Sequence, residues 1–347
     1  MILFRSARAS DLDAIHHLAK HSGIGMTTLP KDKKLLKSRL EWSCDSFKKE
    51  IHKPSSEYYL FVLEDLTSKK VVGTSAIESK TGHETPFYSY KVSKRTRICH
   101  SLNIRSEYQV LSLVNDNQGR TEICTLFLEP EFRKKNNGLL LSKGRFLFMA
   151  QYANRFSPIV IAEMRGISDE HGKSPFWDNV GVHFFHMPFI EADRLTLATN
   201  KQFIADLMPR NPIYVKLLSP EAQAVIGKPH QSTVPAMNIL LKEGFRYSNY
   251  VDIFDAGPTI EAPLSEIKTI NLSRIMVIKN LSDEVSSNEY LIANTQLDFR
   301  ATIDYALFNQ QDNSCIISKK TAKLLEVQCG DSLRIAPIRI HEVPSFQ

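Results

Sequence analysis

Six consecutive positions, Arg133-Lys134-Lys135-Asn136-Asn137-Gly138, hold three cations, two carboxamides and a glycine. That mixture suits an anion. Arginine and lysine supply charge and donors, and a residue without Cβ lets a phosphate approach the backbone. Where such a segment leads into a helix, the unpaired N–H groups of the first turn and the helix dipole add to the attraction. A second chemical residue is His230, in Gly227-Lys228-Pro229-His230-Gln231-Ser232, a loop position between Pro229 and Pro235 and not on an apolar stripe. An imidazole titrates near neutrality and serves as acid or base. His171, in Asp169-Glu170-His171-Gly172, is the competing imidazole, and Glu122 and Glu163 are competing bases. Cys124 has no evident histidine neighbour to activate it, so it reads as core and not as a nucleophile.

These residues need a frame. Ile123 to Leu128 is an apolar run of strand length, and Leu139 to Ala150 carries Leu140, Leu141, Phe146 and Met149 on one side at helical spacing. The basic segment is therefore the loop between a strand and a helix. Leu3 to Ala7, Tyr58 to Glu64, Lys70 to Glu78 and Ile159 to Met164 read as further strands, and Asp11 to His21 and Lys31 to Ile51 as helices. Ser22 to Pro30 is a glycine-bearing loop, and Ser174 to Val180 a short helix with Phe176 and Trp177 packed inward. A helix leading through Gly244-Phe245 into a strand is readable at Ala236 to Glu243; a rival placement ends a helix at Gly181. From Thr269 the pattern changes. Ser273–Ile278, Tyr290–Ile292, Phe299–Ile303 and Leu333–Ile340 are strand-like, with one helix at Ser318–Leu325.

Arg133-x-x-Asn136-x-Gly138-x-x-Leu141 resembles the acyl-CoA pyrophosphate loop of the GNAT acyltransferases, with asparagine where that pattern has its first glycine. Asparagine follows glycine in tolerance of a left-handed backbone. Longer segments, CTLFLEPEFRKKNNGLLLSKGRFLFMA, AEMRGISDEHGKSPFW, AVIGKPHQSTVPA and KEGFRYSNYVDIFDAGPT, are similar to the bacterial arginine N-succinyltransferases, and the similarity runs from Phe4 to the tail. The resemblance implies a GNAT-type α/β domain over residues 1–268, a mixed twisted sheet flanked by helices, with insertions at about 79–121 and 167–235. Residues 269–347 would form a small β-rich C-terminal module. It implies succinyl transfer from succinyl-CoA to the α-amino group of L-arginine, the first step of a catabolic route. Arg133, Asn136 and Gly138 would hold the CoA pyrophosphate, Leu126 would contact succinyl-CoA, and His230 would be the proton donor. An arginine acceptor calls for carboxylates, with Asp169, Glu170, Asp252 and Asp255 as candidates. The free succinyl carboxylate calls for a cation, Arg165 or Lys173. Two other readings stand beside this one: a subunit that also accepts ornithine, and a non-catalytic module that senses acyl-CoA. A homo-oligomer, or a hetero-oligomer with a paralogous subunit, is compatible with either.

Composition narrows the field. At 347 residues the chain can bury a sizeable core. The net charge of +6 suits an anionic ligand, but no dense Lys/Arg tract points to nucleic acid. Five scattered cysteines without a C-x-x-C pair suggest neither a zinc site nor a disulfide framework, and fit a reducing cytoplasm. His16, His17 and His21 lack the partner spacing of a metal site and read as surface helix residues. No apolar run approaches the ~20 residues of a membrane helix.

Overall fold

The computed structural model describes residues 1–339 except 24, 84, 199–201, 286–287 and 310. Ile24 in the glycine-bearing loop and Ile340 at the end of the last expected strand thus lie outside the described residues. The strands in chain order are β1 (Ile2–Ser6), β2 (Tyr58–Asp65), β3 (Lys70–Glu78), β4 (Ser89–Cys99), β5 (Ile104–Val114), β6 (Thr121–Leu128), β7 (Ile159–Glu163), β8 (Ile213–Tyr214), β9 (Arg246–Val251), β10 (Pro258–Pro263), β11 (Arg274–Leu281), β12 (Glu289–Asn294), β13 (Arg300–Asn309), β14 (Ser314–Ile317) and β15 (Ser332–Pro337). They form one mixed sheet ordered β12-β15-β11-β14-β13-β1-β2-β3-β6-β7-β10-β9-β4-β5-β8. Among the described residues only β6–β7 and β11–β14 are parallel pairs. The architecture is the expected mixed α/β arrangement, a mixed sheet with helices packed on it.

The apolar patterns explain the layers. β2 is buried from Tyr58 to Leu63, so both of its faces are covered and it reads as a continuous apolar run. One cover is the helix Asn137–Gln151, whose residues from Leu140 to Met149 are all buried. Another is Lys33–Lys48, which starts where Asp32 accepts hydrogen bonds from the N–H groups of Lys34 and Leu35. Within residues 79–121, expected as an insertion, lies a long β4–β5 hairpin, which the sequence reading left without strands. The second contains the short helices Pro175–Asn179 and Gly181–Phe185, then Phe189–Ala198, Gln202–Leu207 and Pro220–Val225. Phe176 and Trp177 are fully buried there. The later placement of the helix before Gly244-Phe245 matches Val234–Lys242, which leads into β9.

Past residue 269, β12, β15, β11, β14 and β13 pair in a ring, because β12 also pairs with β13. The module is a closed five-stranded barrel with the helix Lys319–Leu325 against it. Its strand β14 was not foreseen in the sequence. β13 pairs antiparallel with β1, with Phe4 opposite Ala301, so barrel and sheet are continuous. The main core crosses this junction. Phe4, Phe61 and Phe148 pack with Phe299, and Leu291, Ala293 and Ala336 belong to the same cluster.

Candidate active site

The site is made where two parallel strands separate. β6 and β7 are in register only at Thr121–Val160 and Glu122–Ile161. Beyond Glu122 the strands splay, and a cavity of about 730 Å³ opens between them, lined by Glu122 to Leu128 on one side and Ala162 to Arg165 on the other. The helix Asn137–Gln151 contributes Gly138, Leu139, Leu141 and Arg145. Both insertions add walls, Phe87 and Tyr88 from the first, Phe189 and Ile204 from the second.

β6 also carries a bulge. Its register against β3 slips between Thr74 and Ala76, so Thr125 and Leu126 together oppose Ser75. Thr125 takes φ +57°, a conformation that a β-branched residue adopts only under tertiary constraint. The constraints are visible. Its Oγ1 lies 3.0 Å from the Tyr58 hydroxyl, and its N–H donates to Thr28 Oγ1 at 3.2 Å. The bulge is thereby fastened to the loop at 22–30. That loop needs its glycines: a Cβ on Gly25, which has φ +81°, would lie 3.4 Å from Arg165 Nε.

At the basic segment, a short 3-10 turn, Pro130–Phe132, precedes the helix. Arg133 donates from Nε to the Leu128 carbonyl at 2.9 Å and lines the cavity with Lys135. The left-handed residue is Lys135 (φ +52°); Asn136 has φ −102°, so its expected left-handed role is not the one it plays. Asn136 instead occupies the N-cap position, with its side chain 3.4 Å from Glu289 of β12 and outside the cavity wall. No side chain caps this helix end. The Asn137 N–H donates to the Lys134 carbonyl at 3.3 Å, which leaves the N–H groups of Gly138 and Leu139 in the first turn for an anion. A Cβ on Gly138 would meet nothing within 4 Å.

His230 sits at the rim. Its N–H donates to the Arg165 carbonyl at 2.8 Å. The ring Nδ1 accepts from the Ser232 N–H at 3.2 Å and lies 2.7 Å from Ser232 Oγ. A backbone N–H can only donate, so the neutral ring carries its proton on Nε2. Burial, and then the positive charge of Arg165, hold the imidazole below its ordinary range. His230 is half-buried and does not itself line the cavity; Ser232 and Thr233 do. Ser232 is the contact that the sequence reading missed, though it stands two residues from His230.

The competing candidates separate cleanly. His171, Asp169, Glu170 and Lys173 lie in an exposed turn away from the cavity wall, where Asp169 accepts from the N–H groups of His171 and Lys173. Asp252 and Asp255 do line the cavity. Asp255 accepts from the N–H groups of Gly166 and Gly257, and Asp252 from those of Phe254 and Asp255. Glu122, Glu163 and Arg165 line it as well. Cys124 is buried, and burial pushes its thiol well above the usual range, which suits core packing and not attack. Among the described residues no group of His, Cys, Asp or Glu could hold a metal ion, and no helix is long and apolar enough to cross a membrane.

Comparison with known proteins places this geometry. The family described as "Arginine N-succinyltransferase beta subunit" matches residues 2–269, and its "C-terminal domain" matches residues 274–337. The arginine N-succinyltransferase of Photorhabdus laumondii is 41% identical over 342 residues, covering 97% of this chain and 98% of the relative. That of an Enterobacter species is 42% identical, covering 96% and 97%. Among solved structures, arginine/ornithine succinyltransferase subunit AI from Pseudomonas aeruginosa superposes with a TM-score of 0.88 at 36% identity, over 97% of this chain and 99% of that one. The chain belongs to the arginine N-succinyltransferase family of acyltransferases.

Proposed function

We propose that the chain transfers succinyl from succinyl-CoA to the α-amino group of L-arginine, releasing CoA and N2-succinyl-L-arginine. The observation that carries this reading is the cavity in the β6–β7 splay, with an uncapped helix end at one side and the bulge beside it. The CoA pyrophosphate lies at the N–H groups that open the helix, with Arg133 and Lys135 beside it and Asn136 acting through its backbone. The acyl group runs into the splay. There the backbone N–H of Leu126 polarises the thioester carbonyl, a contact of the kind worth about 10²–10³ in turnover elsewhere. The acceptor enters from the side of the two insertions. Its guanidinium faces the acidic wall, Asp252, Glu122 and Glu163, and its carboxylate faces Arg165.

Proton movement follows the ring's state. The basic lone pair of neutral His230 is on Nδ1, with the Ser232 hydroxyl upon it. The ammonium proton of the acceptor passes through Ser232 Oγ to Nδ1. The free amine attacks the carbonyl carbon and the C–N bond forms; the second proton this leaves on nitrogen passes to solvent, and the C–S bond breaks as the intermediate collapses. Imidazolium Nε2–H then protonates the departing thiolate.

The test is a free-thiol assay with purified protein, succinyl-CoA against acetyl-CoA, and a panel of basic amino acids. Thiol release should require succinyl-CoA and arginine together. Ornithine belongs in the panel because the solved Pseudomonas relative is named for both acceptors. CoA binding without acceptor-dependent thiol release would replace the enzyme with an acyl-CoA sensor. That same relative is named a subunit, so assembly with like or paralogous chains is part of this reading, with light scattering as its measurement.

A further inference from the structure

The cavity has a cation in its floor that the mechanism above does not use. Arg145 lies two turns into the helix Asn137–Gln151 and is 1% exposed, yet it lines the cavity. Nε donates to the Ser142 carbonyl at 3.1 Å, Nη2 to Ser142 Oγ at 3.2 Å, and Nη1 to the Cys124 carbonyl at 3.4 Å. A guanidinium has five N–H donors, so two are left over. Burial lowers its pKa to about 10, and the Cys124 thiol is the one neighbour that opposes the shift. The other buried guanidiniums differ. Arg5 pairs with Asp11 and Glu64, and Arg300 with Glu326. Arg155 has no carboxylate but is wrapped by two carbonyls and the Tyr59 hydroxyl, away from the cavity. An unpaired buried charge is unfavourable until a counter-ion arrives. Among the described residues no carboxylate pairs with Arg145, and its guanidinium lines the cavity.

We propose that Arg145 receives the distal carboxylate of the acyl group and so selects a dicarboxylic acyl thioester over a neutral one of equal length. The inference rests on the acyl-transfer reading above and names the determinant of its donor. The scale fits. The far carboxyl carbon of a succinyl group stands three C–C bonds beyond the thioester carbonyl, about 4 Å. Arg145 is fixed at the Cys124 carbonyl, two residues along β6 from Leu126. The remaining lining cations have other positions: Arg133 and Lys135 are at the helix end, and Arg165 is beside His230 and bonded to Ser168.

The experiment compares kcat/KM for succinyl-CoA and butyryl-CoA, with arginine saturating, in the wild type, Arg145→Met and Arg145→Lys. Arg145→Met should lower the succinyl-to-butyryl ratio by about 10–100-fold, the worth of a lost hydrogen-bonded charge. Arg145→Lys should fall between. An unchanged ratio, with both rates falling together, would reduce Arg145 to a strut for the Cys124 carbonyl and overturn the proposal. If neither variant folds, a crystal structure of the wild type with the thioether analogue of succinyl-CoA decides. A carboxylate on Arg145 Nη supports the assignment; one on Arg165 or Arg133 ends it. A wild type that turns over neither thioester removes the acyl-transfer reading, and this inference with it.

Discussion

His230 is held between a donor to its Nδ1 and the carbonyl of Arg165, and burial, with the Arg165 charge second, depresses its pKa. The sign matters for the pH profile. A depressed pKa keeps the ring neutral at pH 7, the form that takes the acceptor's proton. kcat/KM for arginine should therefore stay level through neutrality and fall only as pH drops below about 6.5. A profile that falls as pH rises through 6–7 would mean the free enzyme needs the imidazolium. His230→Ala should reduce kcat by about 10²–10⁴-fold with little change in donor affinity, and should erase the acid limb. Cys124→Ser should stay substantially active. At this scale the sequence was partly readable. His230 stood out through the family resemblance around AVIGKPH; its loop placement alone reads as that of an ordinary exposed histidine. Ser232 and Arg145 did not, because a serine in a polar loop and an arginine in a helix look ordinary until burial and direction are known. Asp169 and Glu170 looked eligible for the opposite reason: charge is visible in sequence, distance from a cavity is not.

The strand, loop and helix around Arg133 were legible because each has a local cause: an apolar run, a basic turn, then apolar residues at helical spacing. The bulge was not. A left-handed Thr125 contradicts its own side-chain preference and is imposed by Tyr58 and Thr28, which are distant in sequence. The β4–β5 hairpin was missed because its strands are mostly polar and exposed, so alternation gives little signal. The uncapped helix start gives a prediction of its own. Since a Cβ at Gly138 meets no protein atom, Gly138→Val should fold and fill only the space that the phosphates need. The Michaelis constant for succinyl-CoA should rise at least tenfold, with melting temperature nearly unchanged. Normal donor affinity in a folded variant would move the phosphates elsewhere.

At the scale of the molecule, the change in strand spacing at residue 269 suggests a second unit but says nothing of how it is joined to the first. We infer that residues 1–268 and 269–339 are two units in topology and one in stability, since the main core takes Leu291, Ala293, Phe299 and Ala301 from beyond residue 269. A fragment ending at Lys268 should expose Phe4 and the rings around it, and melt without a sharp transition. Co-expression with residues 269–347 should restore cooperativity, and a cooperatively folding fragment would refute the shared-core view. A buried pair reinforces the joint: Lys143 Nζ lies 2.8 Å from Glu243 and donates to the Ile338 carbonyl at 2.7 Å. Lys143→Met leaves Glu243 buried without its cation, and should destabilise the protein by about 3–5 kcal/mol in denaturant unfolding. A loss below 1 kcal/mol would show the pair to be dispensable. The pairing of Phe4 with Ala301 also sets a timetable. At translation rates of about 5–20 residues per second, the partner strand of β1 leaves the ribosome roughly 15–60 s after β1 itself. Through that interval the nascent chain carries a finished sheet edge with nothing beside it, the kind of surface that other nascent chains and chaperones compete to occupy.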